Sequence, residues 1–100
     1  MEVQVDPRCA ELRLVGRLDV TTVGSVRSAL QAAIEGGAGD LSVSLADVEM
    51  VDATGLGMLV GAHRRARAAG RRLVLRELPP RITRVLANAR LYHILHVAAS

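Results

Sequence analysis

The chain has 100 residues, half of them hydrophobic, yet it contains no Phe, no Trp and a single Tyr, so one domain spanning residues 1–100 must rest on an aliphatic core. All 13 basic residues are Arg, the formal charge is +3, and Cys9 is the only cysteine, which excludes an internal disulfide. No apolar run approaches the roughly 20 residues that cross a bilayer, and Met1-Glu2-Val3-Gln4-Val5-Asp6 lacks the basic start and apolar segment of a signal peptide, so the expected setting is a reducing cytoplasm.

Val3-Gln4-Val5 and Glu11-Leu12-Arg13-Leu14-Val15 flank Asp6-Pro7-Arg8-Cys9, whose Asp-Pro pair favours a tight reversal and predicts an N-terminal hairpin. Val23, Val26, Leu30, Ala33 and Ile34 then recur at helical steps, with Thr21 or Thr22 as the cap and Gly36-Gly37 as the stop. Leu41, Val43 and Leu45 define one face of a strand, Ser42 and Ser44 the other. A second helix is expected from Ala53 or Thr54, with Leu56, Leu59, Val60, His63 and Ala66 on one side, Arg64, Arg65 and Arg67 towards solvent, and Gly70 as its stop. Leu73-Val74-Leu75 reads as a short strand. Pro79-Pro80 suits the first turn of a third helix striped by Ile82, Val85, Leu86 and Ala89, and Tyr92 to Val97 reads as a final strand. This alternation predicts an α/β fold: a mixed sheet of four to five strands with helices packed as crossovers.

Val51-Asp52-Ala53-Thr54-Gly55-Leu56-Gly57 places small and hydroxyl-bearing residues at a loop-to-helix junction. Unpaired backbone N–H groups and the positive end of the helix dipole point outward there. Asp52 suits a cap on those N–H groups or a contact with a basic partner, and capping is the preferred reading; Asp19 has the same two uses at the first helix. Gly55 and Gly57 fit close packing of the helix start on the sheet and also a low platform for a partner.

Other chemistry is sparse. The arginines of His63-Arg64-Arg65-Ala66-Arg67, Arg71-Arg72, Arg81, Arg84 and Arg90 read as a solvated face rather than a nucleic-acid surface, because stacking aromatics and a binding motif are both missing. His93 and His96 fall on opposite faces of a strand and make a poor metal pair, while His63 reads as a partly buried side chain. No catalytic set, phosphate loop or cofactor site can be nominated, so the chain is expected not to be an enzyme.

Three segments together carry a resemblance. Gly16-Arg17-Leu18-Asp19, Val51 to Gly57, and Pro80-Arg81-Ile82-Thr83-Arg84-Val85-Leu86 followed by Leu91 and Ile94 resemble, in order, the STAS domain of anti-sigma factor antagonists. The resemblance implies a STAS-like fold and a partner surface at Asp19, Asp52, Ala53, Thr54, Gly55, Leu56 and Gly57. It further implies a kinase-type anti-sigma factor as partner, release of a sigma factor on binding, and a phosphatase that reverses phosphorylation.

In the family the phosphate goes on a Ser directly after the Asp. Here that position is Ala53, which has no oxygen, so the resemblance implies either an antagonist that cannot be switched off or Thr54 as a substitute acceptor. Capping or a hydroxyl bond to nearby backbone is the preferred role for Thr54. Arg17 stands where Glu is usual, which reverses a charge that could select the anti-sigma factor. Arg90 replaces a helix-closing Gly; Asn88 or a shifted boundary is expected to absorb the ~1 kcal/mol cost of a left-handed residue. The alternative family role is an accessory subunit of an ABC-type lipid transporter, which the segment from Pro80 to Val97 disfavours.

Overall fold

The computed structural model describes residues 2–6, 11–91 and 94–98. Its elements are β1 (Glu2–Asp6), β2 (Glu11–Leu18), α1 (Val23–Glu35), β3 (Asp40–Val51), α2 (Ala53–Ala68), β4 (Arg72–Arg76), α3 (Pro80–Asn88) and β5 (His96–Val97). The five strands lie in the sheet in chain order, β1-β2-β3-β4-β5. The first pair is antiparallel and the remaining pairs are parallel. Each parallel step is bridged by a helix, and residues of all three helices join one core cluster with the strands. The predicted hairpin, mixed sheet and crossover helices are all present. The turn at Pro7, Arg8 and Cys9 lies outside the described residues, as do Tyr92 and His93.

One side of each strand supplies the core. Leu12, Leu14, Val43, Leu45, Leu73 and Leu75 are buried against Val26, Leu30 and Ile34 of α1, Leu59 and Ala62 of α2, and Ile82 and Leu86 of α3. The alternate residues Arg13, Arg72 and Arg76 stay exposed, paired with Asp47, Asp40 and Glu11. Ser44 and Val74 are exceptions on that side: both are buried, and Ser44 lies 3.5 Å from the Glu77 carboxylate.

Several expected boundaries move. β3 runs on from Leu45 to Val51, because β2 and β3 shift register twice, between Arg13 and Val15 and between Gly16 and Arg17, and so stay paired to Leu18↔Val51. The α2 stripe is rotated from the expected one: Gly55, Met58, Leu59, Ala62, His63 and Ala66 are buried, whereas Leu56 and Val60 are half-buried. Val85 is half-buried and Ala89 exposed, leaving Ile82 and Leu86 as the α3 anchors. The final strand shrinks to His96–Val97, since the N–H groups of Ile94 and Leu95 both donate to the Leu91 carbonyl in a turn.

Arg71 departs from the solvated role, and Arg90 departs from the expected backbone. Arg71 is buried; its Nη1 donates to the carbonyls of Ala33 (2.6 Å) and Ile34 (3.1 Å), and its Nε to that of Gly39 (3.0 Å). A cation thus satisfies the last carbonyls of α1, where the dipole favours positive charge. Arg90 itself takes the left-handed conformation (φ 59°), and neither Asn88 nor a shifted boundary relieves it. The reason is the hydrogen bonding at the end of α3. Arg90 N–H donates to Ala87 O and Leu91 N–H to Leu86 O, the same pairing that Gly70 and Arg71 make at the end of α2. That arrangement needs φ > 0 at one fixed position, whichever residue occupies it.

Arg71→Met should therefore cost about 2–3 kcal/mol, because it strands buried acceptors. Arg90→Gly should gain about 1 kcal/mol. Urea unfolding of the two variants against the parent chain measures both.

Candidate functional site

β2 and β3 are parallel neighbours, so the loops leaving their C-terminal ends lie side by side. One leads into α1 and the other into α2. In open α/β sheets this end is where recognition groups collect.

Asp52 ties the two loops together. It is the N-cap of α2, and its Oδ1 accepts from Gly55 N–H at 2.8 Å. Its Oδ2 accepts from Val20 N–H, in the other loop, at 3.3 Å. Its own N–H donates to the Leu18 carbonyl at 3.2 Å. Capping therefore falls to Asp52, and Thr54 does not perform it. Among the described residues the Thr54 hydroxyl makes no hydrogen bond, and Thr54 is exposed.

Asp19 organises the first loop. Its Oδ1 accepts from the Thr21 hydroxyl (2.6 Å) and the Thr21 N–H (3.0 Å), and its Oδ2 lies 3.5 Å from Arg17 Nε. The Thr21 hydrogen bonds, helped by Arg17, hold its carboxyl below the usual carboxylate range. Thr22 occupies the N-cap position of α1, but its side chain does not cap; the hydroxyl donates to the Arg17 carbonyl at 2.9 Å and accepts from Asp19 N–H at 3.0 Å. The expected Thr cap is replaced by a loop folded around Asp19.

The two glycines separate cleanly. A Cβ on Gly55 would sit 2.5 Å from the Leu18 carbonyl oxygen, 2.9 Å from Leu18 Cγ and 3.0 Å from Val51 Cγ1. Gly55 is therefore buried packing against the strand ends and offers nothing to a second molecule. A Cβ on Gly57 would meet nothing within 4 Å. Gly57 lies one turn beyond Ala53 on the same helix face, and both are exposed. Leu56 is half-buried.

The exposed ground thus comprises Ala53, Thr54 and Gly57 on α2, with Val20 and Thr21 beside them. Val20 is 67% exposed, one of the large apolar residues left open to solvent. Sequence reasoning passed it over; the available signal was a Val that precedes the α1 stripe without fitting its spacing. A groove beside the loop is flanked by Arg17 and Glu49, so the reversed charge at Arg17 borders the patch. Among the described residues there is no cluster of three metal-ligating side chains.

A family model described as Mlab, STAS domain, matches residues 1–96. The chain is 30% identical over 99 residues to the anti-sigma-B factor antagonist of Bacillus subtilis (strain 168), covering 99% of this chain and 90% of that protein. It is 32% identical over 87 residues to the anti-sigma-B factor antagonist of Staphylococcus epidermidis, covering 87% of this chain and 81% of the relative. The solved structure of the Bacillus cell fate determinant SpoIIAA in its phosphorylated form superposes with a TM-score of 0.70 at 22% identity, over 99% of this chain and 93% of that one. At that identity the likeness concerns the fold.

The glycine geometry makes opposite predictions for one substitution. Gly55→Ala should destabilise by about 1–3 kcal/mol, since the added methyl meets backbone. Gly57→Ala should stabilise by about 1 kcal/mol through helix propensity. Thermal and urea unfolding of the two variants decide the signs.

Proposed function

The chain belongs to the STAS-domain family, and on that premise we propose that it is an anti-sigma factor antagonist, a cytoplasmic binding protein that captures an anti-sigma factor of the kinase type and so frees a sigma factor for transcription. Support comes from the relatives named for this activity, which match over nearly their whole length. The carrying observation is the exposed, low platform of Ala53, Thr54 and Gly57 at the start of α2, held in place by the buried Gly55. Flat ground made of small side chains lets a partner's backbone approach closely. Val20 adds apolar area, and Asp19 and Asp52 rigidify the loops rather than serving as free charges. No catalytic constellation or cofactor enters this reading.

The same platform bears on regulation. Ala53 lies exposed where the family's resemblance puts the phosphorylated Ser, and it has no hydroxyl. A phosphate carries a charge of about −1.5 to −2 with a large hydration shell, and burying it in a close contact without compensating cations is costly. With a methyl at Ala53 the usual release signal has no acceptor, so the complex persists in the presence of ATP and no phosphatase is needed to restore it. Thr54 is the competing acceptor. Its unbonded, exposed hydroxyl leaves that route physically open, although it points about 100° away from Ala53 around the helix.

Incubation with the cognate kinase-type anti-sigma factor and labelled ATP tests both parts. Wild type should bind and stay unlabelled, and Ala53→Ser should gain label and lose affinity at least tenfold, about 1.4 kcal/mol. Label on wild type that disappears in Thr54→Val would move the switch to Thr54. Failure to bind any anti-sigma factor, together with co-purification of a transporter ATPase, would replace the antagonist reading by a transporter subunit.

A further inference from the structure

The imidazoles of His63 on α2 and His96 on β5 lie with ring centroids 5.2 Å apart, tilted by 58°. His63 is only 5% exposed, and its Nδ1 is buried without a hydrogen-bond partner. His96 is exposed at the sheet edge. The strand that carries it is held by little: two ladder positions, Val74↔His96 and Leu75↔Val97, and the Ala98 N–H donating to Leu75 O at 2.9 Å. Leu95, just before it, is buried and anchors the turn.

We propose that His63 and His96 form an acid-sensitive latch, which holds β5 on the edge of the sheet while His63 is neutral and releases it when His63 takes up a proton. The electrostatics favour this direction. The groups acting on His63 are His96 from β5 and, on its own helix, Arg67 and Arg64; no carboxylate contributes among the described residues. Among the described residues, a proton on His63 would be a buried charge facing cations and a second imidazole. Desolvation first, then His96 and the two arginines, push the His63 pKa below its ordinary value. The same setting argues against a divalent metal at the pair, because two guanidinium groups and no carboxylate repel it.

The sign follows from linkage. With β5 released, the His96 ring leaves His63 and water reaches Nδ1, so His63 titrates closer to the ordinary imidazole value of about 6.5, with Arg64 and Arg67 on its own helix still acting on it. The released state then binds more protons than the docked state below that pH. Docking is fully favoured above about pH 6.5 and weakens as pH falls, by up to about tenfold per pH unit for one proton, until the lowered pKa of docked His63 is reached.

Amide hydrogen exchange on the whole chain between pH 7.5 and 5.0, corrected for intrinsic exchange rates, tests the latch. Protection of the Ala98 amide should fall about tenfold per unit below pH 6.5, while Leu14, Val43 and Leu30 keep theirs. In His63→Leu the Ala98 protection should become flat with pH. If that variant does not fold, His96→Gln should reduce the slope in an otherwise native exchange pattern. Ala98 protection independent of pH in the parent chain would overturn the proposal, and so would an equal loss at Leu14, Val43 and Leu30.

Discussion

The contact on which this molecule's organisation turns is the approach of α2 to the end of β2 at Gly55. The helix begins immediately after β3, and its first turn is pressed so closely onto the Leu18 carbonyl that no side chain fits between them. That closeness brings Asp52 within reach of both its own helix and the neighbouring loop. One carboxylate then satisfies the Gly55 and Val20 N–H groups together. The two loops are thereby joined, and the exposed ground of Ala53, Thr54, Gly57 and Val20 rests on a buried glycine and a half-buried aspartate. Packing and exposure are here divided between adjacent positions of one motif.

A similar division runs through the charges. A net charge of +3 made wholly of Arg invites a nucleic-acid reading, yet the arginines are spent on separate tasks. Arg71 closes the end of α1 from inside the fold, Arg72 pairs with Asp40 across β3 and β4, and Arg13 and Arg76 pair with carboxylates on the open side of the sheet. Arg64 and Arg67 stand around His63, where they act on a buried imidazole. The planar guanidinium suits such bridging, since several N–H donors point in fixed directions and remain charged.

The likeness to anti-sigma factor antagonists and the departure at Ala53 belong together. A binding surface of this kind needs small residues so that a partner can come close, and a methyl satisfies that need as well as a hydroxymethyl does. Packing therefore places no demand for oxygen at the position. Only a regulatory cycle that transfers phosphate would require one. Under the proposed function, the methyl of Ala53 keeps the docking platform while offering no acceptor for the phosphate that would reverse docking.

Much of the fold was legible in the sequence because periodicity reports burial directly. The stripe Val23, Val26, Leu30 and Ile34 lies in the core as its spacing requires, and Leu41, Val43 and Leu45 share one face of β3. The positions of Asp52 and the two glycines also marked the start of α2, since a capping carboxylate followed by small residues defines a helix start whose backbone can be approached closely. The rest was set by partners distant in the chain. The buried role of Arg71 depends on carbonyls at Ala33, Ile34 and Gly39, more than thirty residues away. The rotation of the α2 stripe onto Gly55 and Met58, the bond from Val20 to Asp52, and the meeting of His63 with His96 arise only when the sheet brings separate loops and strands side by side. Local spacing determined which segments are helix or strand and where α2 begins. Tertiary structure alone decided which glycine is packed and which is open, because that depends on the atoms of another strand.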